Sequence, residues 1–191
     1  MTESDEELMA AVAAGDREAF GALYRRRRPD VYRFALHMTG VPAAADDVAQ
    51  EVFLAVIQDA RRYSPARAAV LPWLLGIARN QARRRLSERQ HDPLPAGSSE
   101  PAVQPDPLDG MARARQCVAL RRALTALPVV YREAVVLCDL QELSYQDAAH
   151  VADCAIGTVR SRLHRGRQLL AASMRGERRA FRGWPAPEWL L

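Results

Sequence analysis

Apolar residues recur three and four positions apart through most of the chain. Val48, Ala49, Val52, Phe53 and Val56 form one such stripe, and that period predicts an amphipathic helix. Val31, Phe34, Ala35 and Met38 form another after Pro29, which interrupts a run of four arginines. A third comprises Trp73, Leu74, Ile77 and Ala78, on a helix that Pro72 is suited to open as its first residue. Near the start, Ser4 and an acidic first turn open a helix that Gly15 ends, and Asp16 can cap the next through Phe20, Leu23 and Tyr24. The run TGVP then breaks the chain. Further on, residues 111–126, 128–140, 144–152 and 156–174 each read as helix, with no strand period and no internal repeat. The expected fold class is all-α, in two small helical domains.

The break between them is HDPLPAGSSEPAVQPDPLDG, His91 to Gly110, which holds five of the twelve prolines. Proline removes a donor and blocks helix, and little in this stretch can build a core. It reads as a flexible tether, with an ordered surface loop as the alternative. The expected organisation is a first domain over 1–90, a linker over 91–112, a second domain over 113–175 and a tail over 176–191.

Composition sharpens this little until it is divided by segment. The chain has 191 residues, a net charge of +4 and aromatic content of 6%. All 27 basic residues are arginine, which a coding bias explains without any functional purpose. Residues 61–90 carry eight arginines and one acid, a net of +7, and residues 160–182 carry the same. Residues 1–24 and 91–112 are acidic by contrast. Two basic blocks separated by acidic ground suggest two contacts with a polyanion.

The second block carries the clearest pattern. In LSYQDAAHVADCAIGTVRSRLHRGRQLL, Ser144 and Asp147 have capping-box spacing, and Asp153 tolerates a left-handed turn. Cys154 and Ile156 are placed to plug the angle before a second helix starting near Gly157. This is helix-turn-helix grammar. On the second helix Val159, Leu163 and Leu170 form the apolar side, and Arg160, Ser161, His164, Arg165 and Gln168 point away from it. Thr158 and Arg162 flank, and Arg167 has no assigned role. The outward face has donors and no carboxylate, as contact with the major groove and phosphates requires.

The stripe on residues 45–57 leaves Asp47, Gln50, Glu51, Leu54 and Gln58 on an outer face. Carboxylates repel DNA, and an exposed leucine beside them points to a protein interface. A plain solvated face and a metal-holding cluster of Asp46, Asp47 and Glu51 are the alternatives. His150 and Cys154 are four apart, but Cys154 serves better as the turn plug. No cofactor and no metal is expected.

Five stretches occur in order: DREAFGALYRRRRPDVYRFA, DDVAQEVFLAVI, WLLGIARNQARRRL, LPVVYREAVVLCDLQELSYQDAA and GTVRSRLHRGRQLL. Together the chain resembles an extracytoplasmic-function (ECF) sigma factor of the sigma-70 family, over about residues 6–90 and 113–173. The resemblance implies a sigma region 2-like domain followed by a region 4-like helix-turn-helix domain. It implies that Asp47, Gln50 and Glu51 dock on the clamp helices of the polymerase β′ subunit. It implies that Arg62, Tyr63, Arg67, Asn80, Arg83 and Arg84 capture the minus-10 element as single-stranded DNA. Trp73 is tempting as a stacking residue, but its inner position favours core packing. It implies that Arg160, Ser161, His164 and Arg165 meet minus-35 bases while Thr158 and Arg162 hold phosphates, and that the domain grips the β flap.

The expected function is promoter recognition and strand opening with core RNA polymerase, not catalysis. An anti-sigma factor is the further expected partner. A stand-alone helix-turn-helix regulator is the rival reading. Cys117, Cys138 and Cys154 have no C-x-x-C spacing, the N-terminus is polar and acidic, and no apolar run is long enough to span a membrane. A cytoplasmic protein is expected.

Overall fold

The computed structural model describes residues 3–91 and 109–178, with side chains over 3–88 and 117–175. It is all-α, with eight α-helices and no strand among the described residues. The expected linker from residue 92 to 108 and the expected tail beyond Arg178 lie outside the described residues.

Helix α1, Asp5–Ala13, opens with a capping box. Ser4 Oγ accepts from Glu7 N at 3.2 Å, and the Glu7 carboxylate accepts from Ser4 N at 2.7 Å. These bonds favour the ionised carboxyl and lower the Glu7 pKa. Helix α2, Arg17–Thr39, is capped by Asp16, whose Oδ1 accepts from Glu18 N and Ala19 N. Helix α2 runs straight through Pro29, so the stripe of Val31, Phe34, Ala35 and Met38 continues the helix that Asp16 caps. Proline inside a helix costs about 3 kcal/mol. Leu23 on one side and Val31, Phe34 and Ala35 on the other are buried on one face, which offsets that cost at about 1.5–3 kcal/mol per large side chain.

Helix α3, Pro42–Asp59, begins with proline at its first turn and leads into a 3-10 turn at Ala60–Arg62. Helix α4, Val70–His91, opens two residues before the expected start at Pro72. The first core gathers Leu8, Met9, Leu23, Phe34, Met38, Val52, Phe53 and Leu74. Phe20, Tyr24 and Phe53 pack ring to ring, with Tyr24 and Phe53 centroids 4.8 Å apart.

The second unit has α5, Asp109–Ala126; α6, Val129–Val135; α7, Tyr145–Ala152; and α8, Ile156–Arg178. Helix α5 thus starts inside the stretch expected as linker. The single helix expected over 128–140 is α6 followed by a π turn at Val136–Leu140. Gln141 N closes that turn on Val136 O at 2.9 Å. Leu124, Val135, Leu137, Leu163, Leu170 and Met174 fill the second core. Helix α8 crosses α6 at Gly166, where an added Cβ would sit 2.7 Å from Val135 Cγ2 and 3.0 Å from Tyr131 O.

The two units touch. Helix α4 packs on α7, and α2 packs on α5 and the π turn. Arg132 donates across the junction to Met38 O, and its Nη2 donates to Thr125 O at 2.5 Å and Leu127 O at 3.0 Å. Gln141 Nε2 donates to Asp30 O at 3.3 Å.

Candidate nucleic-acid and polymerase interfaces

Helix α7 starts where Ser144 Oγ accepts from Asp147 N at 3.1 Å and itself donates to the Asp147 carboxylate at 2.6 Å. Asp153 then turns the chain with φ of 49°, in the left-handed region. Ala148 and Val151 of α7 face Val159 and Leu163 of α8, all buried. Arg160, Ser161, His164, Arg165 and Gln168 are exposed on the opposite side of α8, and Thr158 and Arg162 are half-buried at its edges. Arg165 Nη1 donates to Gln168 Oε1 at 3.3 Å, and Gln168 Nε2 lies 3.0 Å from His164 Nε2. The Arg160 guanidinium sits 5.5 Å from the Tyr145 ring centroid, within cation–π range.

One expectation for this motif needs correction. Ile156 does not plug the turn: it is the first residue of α8, 41% exposed, and it lines a cleft toward α4. Cys154 is half-buried, with Arg162 Nη1 3.8 Å from its sulfur. Arg167, left unassigned by sequence, forks onto Asp139 at 3.0 and 2.5 Å. The Asp139 hydrogen bond leads the causes that raise its pKa. This arginine ties α8 to the π turn instead of facing outward.

On α3, Asp47, Gln50, Leu54 and Gln58 are exposed and Glu51 is half-buried. Leu54 and Ile57 are 56% and 59% exposed, an apolar pair beside the acids. The acids are not free of cations. Arg85 of α4 bonds Asp47 at 3.0 Å and Glu51 at 2.6 Å, and Arg84 reaches Glu51 at 3.4 Å. Asp46 pairs with Arg28 at 2.8 Å. Asp46, Asp47 and Glu51 therefore each face an arginine, and no cluster of three potential metal ligands occurs among the described residues.

The six candidates for single-strand capture divide into separate groups. Arg62, Tyr63 and Arg67 lie before α4. Arg62 pairs with Asp59 at 3.0 Å, and Tyr63 donates from its hydroxyl to Ala68 O at 3.1 Å. Burial raises the Tyr63 pKa. The Tyr63 and Trp73 rings meet edge-on at 5.5 Å, and both pack on the core. Asn80 and Arg83 stand further along α4, about 10 and 15 Å from the Trp73 level by helical rise. Arg84 turns to another face, toward Glu51 and Glu88.

Three partners escaped sequence reasoning: Arg79, Arg85 and Glu133. Glu133 is only 1% exposed. It accepts from Arg79 Nε at 2.5 Å and Arg83 Nη2 at 3.1 Å, while Arg79 Nη2 donates to Ala152 O at 2.8 Å. A signal existed, since Glu133 stands in the apolar run YREAVVL, where a solvated carboxylate has no place. A cleft of about 670 Å³ adjoins these residues, lined by Asn80 and Arg79 on one wall and Gln146, His150 and Ile156 on the other.

Comparison with known proteins accounts for both units. Residues 23–91 match the family described as sigma-70 region 2, and residues 117–170 match sigma-70 region 4. The chain is 36% identical over 176 residues to the ECF RNA polymerase sigma factor SigE of Mycolicibacterium smegmatis, covering 87% of this chain and 68% of that one. It is 38% identical over 171 residues to the ECF RNA polymerase sigma factor SigM of Mycobacterium tuberculosis, covering 88% and 83%. The sigma factor RpoE from Bartonella quintana, solved in complex with the anti-sigma factor NepR, superposes with a TM-score of 0.65 at 27% identity, covering 82% of this chain and 96% of that one. With an acidic helix in its first unit, a helix-turn-helix in its second and these matches across both, the chain belongs to the ECF RNA polymerase sigma factors of the sigma-70 family.

Proposed function

We propose that this sigma factor directs core RNA polymerase to promoters by holding two DNA elements and the polymerase at separate surfaces. The reading is carried by the exposed, donor-rich face of α8 in a helix-turn-helix that matches sigma region 4. Arg160, Ser161, His164 and Arg165 enter the major groove of the minus-35 element, and Thr158 and Arg162 take phosphates. Asn80 hydrogen-bonds a base edge of the opened minus-10 strand. Arg62, Arg67, Arg83 and Arg84 supply the cationic track, with Tyr63 beside it. Asp47, Gln50 and Glu51, with Leu54 and Ile57 beside them, dock on the β′ clamp helices, and the second unit grips the β flap. One chain holding both elements gains effective concentration, so each contact can be weak alone.

The work is binding and remodelling, and nucleotide addition belongs to the polymerase. An anti-sigma factor is a further partner, as in the RpoE–NepR complex. No described helix is long and apolar enough to cross a membrane, and the proposed work belongs in the cytoplasm with the polymerase. Purified protein added to core polymerase is expected to start run-off transcription from a subset of promoters. Good duplex binding without any initiation by core polymerase would instead favour a stand-alone helix-turn-helix regulator.

A further inference from the structure

Gln168 links two of the side chains that face minus-35 bases in the proposed function. On α8 it follows Arg165 by three residues and His164 by four, and residues at those spacings are neighbours on a helix surface. Arg165 Nη1 donates to Gln168 Oε1 at 3.3 Å, and Gln168 Nε2 lies 3.0 Å from His164 Nε2. All three side chains are exposed on the face of α8 that turns away from the core. A guanidinium has donors only, so the amide must turn its oxygen to Arg165 and its NH2 to His164. The NH2 group can only donate, so His164 Nε2 must accept. The proton of the ring is then on Nδ1.

That proton decides what the ring offers to DNA. Its Nε2 lone pair is taken, and Nδ1–H has no partner among the described residues. No acidic residue occurs from Gly157 to Ser173 to compete for it. His164 is thus a single donor on the groove face. In the major groove guanine presents N7 and O6 as acceptors, adenine N7 and thymine O4, whereas cytosine presents only its N4 donor. A lone donor suits the first three and meets a second donor at cytosine. Without Gln168 either ring nitrogen can carry the proton, and the ring can accept from cytosine N4 as readily as it donates. Bonds of this kind are weak in water and strengthen where the groove excludes it.

We propose that Gln168 is a positioning residue of the reading helix: oriented by Arg165, it fixes His164 as the Nδ1–H tautomer, and so makes His164 select against cytosine at the base pair it meets. This rests on the minus-35 contact of α8 in the proposed function. It adds to that contact a residue that sets selectivity without itself touching a base. Arg165 keeps its other N–H donors, enough for a bidentate grip on guanine.

The test has two arms, both on the full chain. In the free protein, proton–nitrogen correlation spectra of the histidine rings are recorded at about pH 8.5, above the range in which histidines usually carry charge. His164→Ala assigns the ring signals, and Nδ1 is expected to be the protonated nitrogen. Gln168→Met keeps the side-chain length and removes both bonds, and the Nε2–H form is then expected to appear. In the second arm the chain with core polymerase selects from random-sequence duplexes long enough to hold both elements, and sequencing gives the base preferences. The base pair whose preference collapses in His164→Ala is the one that His164 reads. There the wild type is expected to exclude cytosine on one strand about tenfold, the ratio set by one hydrogen bond made or lost. Gln168→Met is expected to cut that exclusion to about twofold, and to change nothing further at that base pair when His164 is already alanine. Preferences at the other base pairs are expected to persist, which a general loosening of α8 would not allow. An Nε2–H ring in the wild type overturns the proposal. So does a Gln168→Met protein that excludes cytosine as the wild type does, or the lack of any base pair that responds to His164→Ala. Run-off transcription with wild-type protein and core polymerase tests the sigma reading separately, since the ring spectra do not depend on it.

Discussion

Gly40 and Thr125 meet so closely that a Cβ on Gly40 would lie 2.6 Å from Thr125 Cγ2. Gly40 ends α2 with φ of 74°, and Thr125 lies near the end of α5. A residue without a side chain is needed here twice over, once for the backbone and once for the junction between the units.

Gly40→Ala therefore carries two penalties. The left-handed conformation costs about 1–2 kcal/mol for a residue with a Cβ, and the overlap with Thr125 adds to it. Thr125→Ser removes Cγ2 but retains the hydroxyl, which donates to Arg121 O or Arg122 O at 3.0 Å. In denaturant unfolding, Gly40→Ala is expected to cost about 1 kcal/mol less in the Thr125→Ser background. Strict additivity of the two changes would mean that the units do not pack in this way.

His37 sets a pH dependence. Burial, and then the charges of Arg121 and Arg33, hold its pKa down to about 4 from 6.5, and its Nδ1 has no partner. The unfolded chain takes up a proton near 6.5 that the folded chain refuses until about 4. Stability from this group is thus full above 6.5 and declines as pH falls toward 4, by at most about 1.4 kcal/mol per pH unit. Denaturation midpoints followed across that range should show a shallower decline in His37→Gln. Parallel profiles for the two proteins would remove His37 as the cause.

Arg165 and Arg167 are two residues apart and should behave oppositely. Arg165→Ala is expected to weaken minus-35 duplex binding by about 1–3 kcal/mol if it is bidentate to a guanine, and to leave stability unchanged. An unaltered promoter preference would take it out of the reading set. Arg167→Ala leaves Asp139, 5% exposed, without its forked partner. Arg167 itself is 39% exposed, so solvent screening reduces the cost. A loss of about 1–3 kcal/mol in folding is expected, read by denaturant unfolding.

The three cysteines should alkylate in a fixed order. Burial pushes the Cys138 thiol up to about 11, whereas Cys117 is exposed. Only the thiolate attacks. Mass spectrometry of iodoacetamide-treated native protein should find Cys117 modified first and Cys138 protected until denaturant is added. Early modification of Cys138 would show that the π turn opens in the native state.

Much of the local structure was legible because it depends on neighbours in sequence. Ser144 caps α7, Asp153 takes the left-handed turn, and Val159, Leu163 and Leu170 face inward from the 3.6-residue period. The exposed acidic row on α3 follows from the same period. Ile156 went against local reasoning because distant packing overrides it. Buried residues on both sides of Pro29 carry α2 through the proline, and α4 supplies the cleft that Ile156 lines.

An all-helical chain in two units, the helix-turn-helix, and the apolar face of each helix are all written in the local pattern of residues. Those properties follow from spacing, capping and side-chain chemistry within about one helical turn or a few. Which charges meet is settled by how the helices pack. That Arg85 answers Asp47 and Glu51, that Arg167 answers Asp139, and that Glu133 binds Arg79 and Arg83 across the junction depends on helices brought together from 28 to 54 residues apart in sequence. A charge's partner is set by position in space, and periodicity along a chain carries no record of it.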